Sequence, residues 1–109
     1  MDISELQREI HQSAIERGWW DNPHRDFGEV TSLIHCEISE AFEEYRDKHP
    51  LGEVRLEKGK PEGVPVEMAD AIIRILDWAE KEDVDMAAVI RMKVDYNKTR
   101  PHRHGGKLA

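Results

Sequence analysis

The sequence predicts an all-α fold, a four-helix protomer that completes its bundle by oligomerising. Three observations carry this. Apolar residues recur with a helical period through most of the chain, most glycines and prolines fall between those stretches, and 109 residues make a single domain. Such a short chain buries a modest share of its surface, and the periodic faces present more apolar area than one small core can use. A homodimer or homotetramer is therefore expected.

The first helix should run from about Ser4 to Gly18. Ser4 and Gln7 fit a capping box, Ile3, Leu6, Ile10 and Ala14 form an apolar stripe, and Gly18 supplies a stop. Trp19-Trp20-Asp21-Asn22-Pro23 follows as a turn, with Pro23 marking the break. A second helix is expected from about Asp26 to Asp47. Its residues Phe27, Val30, Ile34, Ile38, Ala41, Phe42 and Tyr45 cover an arc of roughly 120°. Glu37, Glu40 and Glu44 lie within roughly 60° of one another on a shoulder of that arc.

The stretch from Glu53 to Pro65 reads as a surface loop, with only a weak hairpin signal inside Glu53 to Glu57. The third helix, about Val66 to Lys81, is apolar nearly all round and is expected at the centre of the fold. Glu67, Asp70, Arg74 and Asp77 interrupt it in one stripe of roughly 80°, which must face a wet or metal-filled cleft. The fourth helix begins after Asp83 or Asp85, either a good N-cap, and reaches about Thr99 before Pro101. From about residue 100 the chain becomes a basic, glycine-bearing tail.

The net charge of −7 argues against nucleic acid as a partner, because that affinity comes mainly from Lys and Arg on phosphates. No run of about 18 apolar residues exists, so no membrane span is expected. The amino-terminal residues lack the pattern of a signal peptide. Cys36 is the single cysteine, which excludes an internal disulfide, fits a cytoplasmic location and reads as a small packing residue.

Glu37 with Glu40, and Glu67 with Asp70, are i, i+3 pairs, so each pair shares a helix face. Side by side, the two helices would converge four carboxylates. Such a cluster repels itself unless a cation fills it, and hard divalent ions such as magnesium prefer oxygen ligands. The rival is internal pairing, for instance Asp70 with Arg74, which cannot satisfy all four acids. Asp77 shares the stripe and is expected to support the ligands.

Lys93 and Asn97 share a face of the fourth helix and Arg100 continues it; with Arg103, His104 and Lys107 they read as an anion-binding arm. His102 and His104 have too few companions for a transition-metal site, and His24 and His35 read as structural. Trp19 and Trp20, adjacent in a turn, cannot both enter one core, so one is free to stack on a base. No P-loop, dinucleotide fingerprint, nucleophile elbow or C-x-x-C occurs.

The ordered set Glu37-Ile-Ser-Glu40, Glu67-Met-Ala-Asp70, Lys93-x-x-x-Asn97 and Arg100-Pro101 resembles the MazG-like all-α nucleoside triphosphate pyrophosphohydrolases over about residues 18–107. The resemblance implies helical bundles completed by dimers or tetramers, and magnesium-dependent cleavage of nucleoside triphosphates to monophosphate and pyrophosphate. Manganese is the expected substitute. By position, Glu37, Glu40, Glu67 and Asp70 would hold the metal, with Glu40 also orienting the attacking water. Lys93 and Asn97 would hold phosphate or sugar oxygens, and Trp19 or Trp20 would lie near the base. Removal of damaged or surplus nucleotides is the implied role. Two other readings stand beside it: a non-catalytic regulatory module that binds nucleotide or metal, and a purely structural helical dimer with solvated acids.

Overall fold

The computed structural model describes residues 2–22 and 24–101. Its elements are helices α1 (Ile3–Glu16), α2 (Phe27–Arg46), α3 (Val64–Lys81) and α4 (Met86–Lys98), with strands β1 (Arg55–Glu57) and β2 (Lys60–Glu62) between α2 and α3. The protein is thus mostly helical. Pro23 and the tail residues His102, Arg103, His104 and Lys107 lie outside the described residues.

Each helix start follows from an acidic or glycine cap. Asp2 caps α1 by accepting from the Glu5 amide at 2.7 Å, two residues ahead of the expected Ser4 cap. Asp26 caps α2 and Asp85 caps α4 in the same manner. Helix α3 begins two residues earlier than its apolar pattern suggests, because Pro65 suits the first turn.

The carboxyl ends of α1, α2 and α3 share one solution. Gly18, Lys48 and Asp83 adopt positive φ after the last turn. Paired amides then return to carbonyls of that turn: Trp19 to Ala14, His49 to Glu44 and Val84 to Ala79. These bonds fix the exit direction of the chain. In the first case they hold the tryptophan turn against α1.

Helix α3 is central, packed along both α2 and α1. The contacts are close because small side chains meet: Ala14, Val30, Ala41, Ala71, Leu76 and Ala79 are the buried apolar residues, and Phe27 rests on Trp78 at 5.4 Å between ring centroids. Gln7 ties α1 to the end of α3 by donating to Glu80 and to the Val84 carbonyl, at 2.9 and 2.8 Å.

Three expectations need correction. The segment before α3 is an antiparallel hairpin in which Arg55 pairs with Glu62 and Glu57 with Lys60. Its two-residue turn, Lys58-Gly59, has both residues at positive φ, the geometry that matches strand twist. Helix α3 is not buried all round within the protomer, since Met68 and Ile72 are 47% and 56% exposed. Helix α3 is covered by α1 and α2, while α4 packs on α1. Cys36 is exposed, because its neighbour Glu37 takes the inward position on α2.

Candidate metal centre and adjoining cleft

The facing sides of α2 and α3 bring the predicted acids together. One carboxylate oxygen from each of Glu37, Glu67 and Asp70 lies within 4.8 Å of the other two. A second triplet, Glu44, Glu62 and Glu67, meets the same distance, so Glu67 belongs to both. Glu40 is exposed, yet its carboxyl comes close enough to Glu67 to share a hydrogen bond.

Glycine makes this convergence feasible at the hairpin end. Gly63 is buried at φ +133°, and a Cβ there would sit 2.3 Å from the Glu53 carbonyl oxygen. Its own carbonyl accepts from the Val66 and Glu67 amides at 3.1 Å each. The residue therefore sets both the start of α3 and the position of Glu67 beside Glu62.

Charge is unevenly balanced across the cluster. Arg74 Nε donates to Glu37 at 2.9 Å. Arg55 Nη2 donates to both oxygens of Glu44, at 3.1 and 2.9 Å, and so fastens the hairpin to α2. Lys60 lies 3.2 Å from Glu62. Glu40, Glu67 and Asp70 have no ion pair among the described residues.

The consequence appears in the ionisation of α3. Burial, the hydrogen bond with Glu40, and repulsion from Glu40, Asp70 and Glu37 push the Glu67 carboxyl up to about 7. Burial and Glu37 also raise Asp70, against the pull of Arg74 and Lys60. A group of oxygen donors that resists full ionisation has the chemistry to hold a hard divalent cation.

A cleft of about 490 Å³ adjoins this cluster. Glu37 and Asp70 form its acidic edge, Arg17 and Arg74 contribute cations, and Trp19 supplies an aromatic wall. The volume is in the range of small-molecule sites. The two tryptophans divide as their adjacency requires. Trp19 lines the cleft, with Arg25 and Arg74 at 4.3 and 4.8 Å from its ring centroid. Trp20 is held by packing near His11 and donates its indole N–H to Asp77 at 2.9 Å.

Arg25 secures the turn from the α2 side, donating to the Trp19 carbonyl at 2.9 Å and pairing with Glu29. Asp77 is buried and also receives His11 Nδ1 at 2.7 Å. Its observed role is to hold the tryptophan turn and α1 against α3.

The predicted anion-binding residues are not gathered at the acids. Lys93, Asn97 and Arg100 are exposed on or just beyond α4, and the Lys93 ammonium rests 4.9 Å from the Tyr96 ring centroid. Sequence reasoning missed Arg74 as the partner of Glu37, since helix spacing pointed to Asp70. It also missed Glu62, which only the hairpin register delivers. Glu44 was within reach, one turn beyond Glu40 on the same shoulder.

No protein-family model, curated protein or solved structure matches this chain.

Proposed function

We propose that the protein is a magnesium-dependent nucleoside triphosphate pyrophosphohydrolase of the MazG-like type, releasing nucleoside monophosphate and pyrophosphate. The observation that carries this reading is the meeting of Glu37, Glu67 and Asp70 within 4.8 Å at the edge of a cleft walled by Trp19. Acids able to hold a cation, placed beside an aromatic surface able to hold a base, suit a metal-bound nucleotide.

In this reading Glu37, Glu67 and Asp70 are the metal ligands, with Glu40 completing the set. Magnesium, or manganese in its place, supplies the positive charge that offsets the triphosphate and the departing pyrophosphate. The exposed Glu40 carboxylate orients water and accepts its proton. Arg74 and Arg17 reach phosphate or sugar oxygens inside the cleft. Trp19 offers its ring to the base, while Trp20 fixes the turn that presents it.

Assembly belongs to the same proposal. Phe42 and Tyr45 on α2, Met68 and Ile72 on α3, and Val89, Ile90 and Met92 on α4 are exposed large apolar residues. The radius of gyration, 16.5 Å, exceeds the value of about 13 Å usual for a compact domain of this length. A homodimer or homotetramer would cover these faces and bring Lys93, Asn97 and Arg100 toward bound phosphate. Arg103 would extend the same arm. Cytoplasmic clearance of unwanted nucleotides is the role that this activity would serve. Among the described residues, no helix is long and apolar enough to cross a membrane.

The Arg74–Glu37 and Arg55–Glu44 pairs favour a second reading, since they satisfy two acids without a metal. That reading is a non-catalytic module that binds nucleotide or metal. Pyrophosphate release from a panel of triphosphates with magnesium decides between them: binding without turnover on any substrate would support the module.

A further inference from the structure

On α3 the residues Asp70, Arg74 and Asp77 are spaced i, i+4 and i+7, and all three line the cleft. Asp77 lies about 10 Å along the helix axis from Asp70, at 1.5 Å per residue. That separation is comparable with the reach from an α-phosphate across the sugar to the far edge of a base. A nucleotide with its phosphates at the acidic end would therefore bring its base toward Asp77 and Trp19.

Asp77 is only 6% exposed. Its Oδ1 takes both protein donors, His11 Nδ1 at 2.7 Å and Trp20 Nε1 at 2.9 Å. Its Oδ2 makes no hydrogen bond among the described residues. Clamping two N–H groups needs one acceptor atom, and a carboxylate brings a second that stays free for a ligand. An unpaired acceptor on a residue that lines a cleft can take a donor from whatever fills it.

We propose that Asp77 selects the nucleobase, its Oδ2 accepting from the exocyclic amino group of cytosine, adenine or guanine. Carboxylates accept well from such groups. Uracil and thymine are disfavoured, because their one N–H on that edge is flanked by two carbonyl oxygens that a carboxylate repels. The inference rests on the pyrophosphohydrolase reading for the direction in which the nucleotide lies.

The test is a magnesium-free NMR titration of the full chain with CMP, AMP, GMP, UMP and TMP, on the wild type and on Asp77→Asn. Wild type should bind the three amino-bearing nucleotides about tenfold more tightly than UMP or TMP. Asp77→Asn keeps an acceptor oxygen for His11 and Trp20 while offering amide N–H to the cleft, so the preference should reverse. Equal affinities across the wild-type panel would overturn the proposal, whether or not the variant folds. So would an unchanged preference, or a uniform loss of binding, in a variant whose melting temperature is retained.

Pyrophosphate release from the matching triphosphates separates this inference from the reading beneath it. Turnover at equal kcat/KM for every base sinks base selection and leaves the hydrolase. Amino-selective monophosphate binding with no turnover leaves base selection and sinks the hydrolase. Failure to bind any mono- or triphosphate sinks both.

Discussion

At the amino-terminal end of α3, Glu67 and Asp70 face the glutamates of α2; two turns further on, Asp77 faces His11 and Trp20. The groups are chemically alike and lie on one stripe of one helix. At the first end carboxylates crowd carboxylates, and Glu67 is driven up to about 7. At the second end two N–H donors meet a single oxygen. The first arrangement stores repulsion that a cation would relieve, and the second holds the fold together. Position relative to donors, not residue type, decides which acids are available for chemistry.

Removing one acid from each end should therefore produce opposite results. Glu67→Gln is expected to lower pyrophosphate release by a factor between roughly a hundred and a thousand. The metal-free protein should melt no lower than wild type at pH 8, since a source of repulsion has gone. Steady-state kinetics and calorimetry on the same preparation check both halves. A fall in melting temperature with activity kept would invert the assignment of the two ends.

Gly63→Ala tests whether the crowded end depends on its backbone support. Positive φ and the approach of the Glu53 carbonyl together should make this change cost about 3 kcal/mol in denaturant unfolding. Metal affinity should fall with it, because Glu62 and Glu67 lose their register. Asp77→Ala acts at the other end. It leaves the His11 and Trp20 donors without an acceptor, with an expected loss of about 2 kcal/mol in the same assay. A neutral result there would mean that the tryptophan turn is held by packing and Arg25 alone.

The contrast between the ends was only half legible in the sequence. Helical period put Glu37, Glu40, Glu67 and Asp70 on faces that could meet, and the apolar surround of the third helix marked its acids as unusual. Spacing within one helix cannot say which partner lies across the gap. Asp70 and Arg74 looked like a pair, yet Arg74 reaches Glu37 on α2. Asp77 looked like support for the metal ligands, yet His11 lies 66 residues away in sequence and Trp20 lies 57. The hairpin was obscured because its strands are three residues each, too short to show alternation, although Lys58-Gly59 is a serviceable turn. Helix α4 was legible as a helix, but its docking on α1 depends on contacts that no local pattern encodes.

The last expected effect concerns a single proton at the crowded end. Below its ordinary value of 4.5, Glu67 is protonated in folded and unfolded chains alike and contributes no difference. Between 4.5 and about 7 the folded state retains a proton that the unfolded state has lost. Stability then falls as pH rises, because the native state binds more protons than the unfolded one. Above about 7 both forms are ionised and the penalty is constant. The raised Asp70 adds a change of the same sign. Magnesium competes with that proton, so its stabilising effect should grow from pH 5 to pH 7 and then level off. Melting temperatures of wild type and Glu67→Gln, with and without magnesium, isolate the contribution, since other titrating groups largely cancel in the difference. If the two proteins show parallel pH profiles, the acids at this end are solvated and the contrast with Asp77 loses its basis.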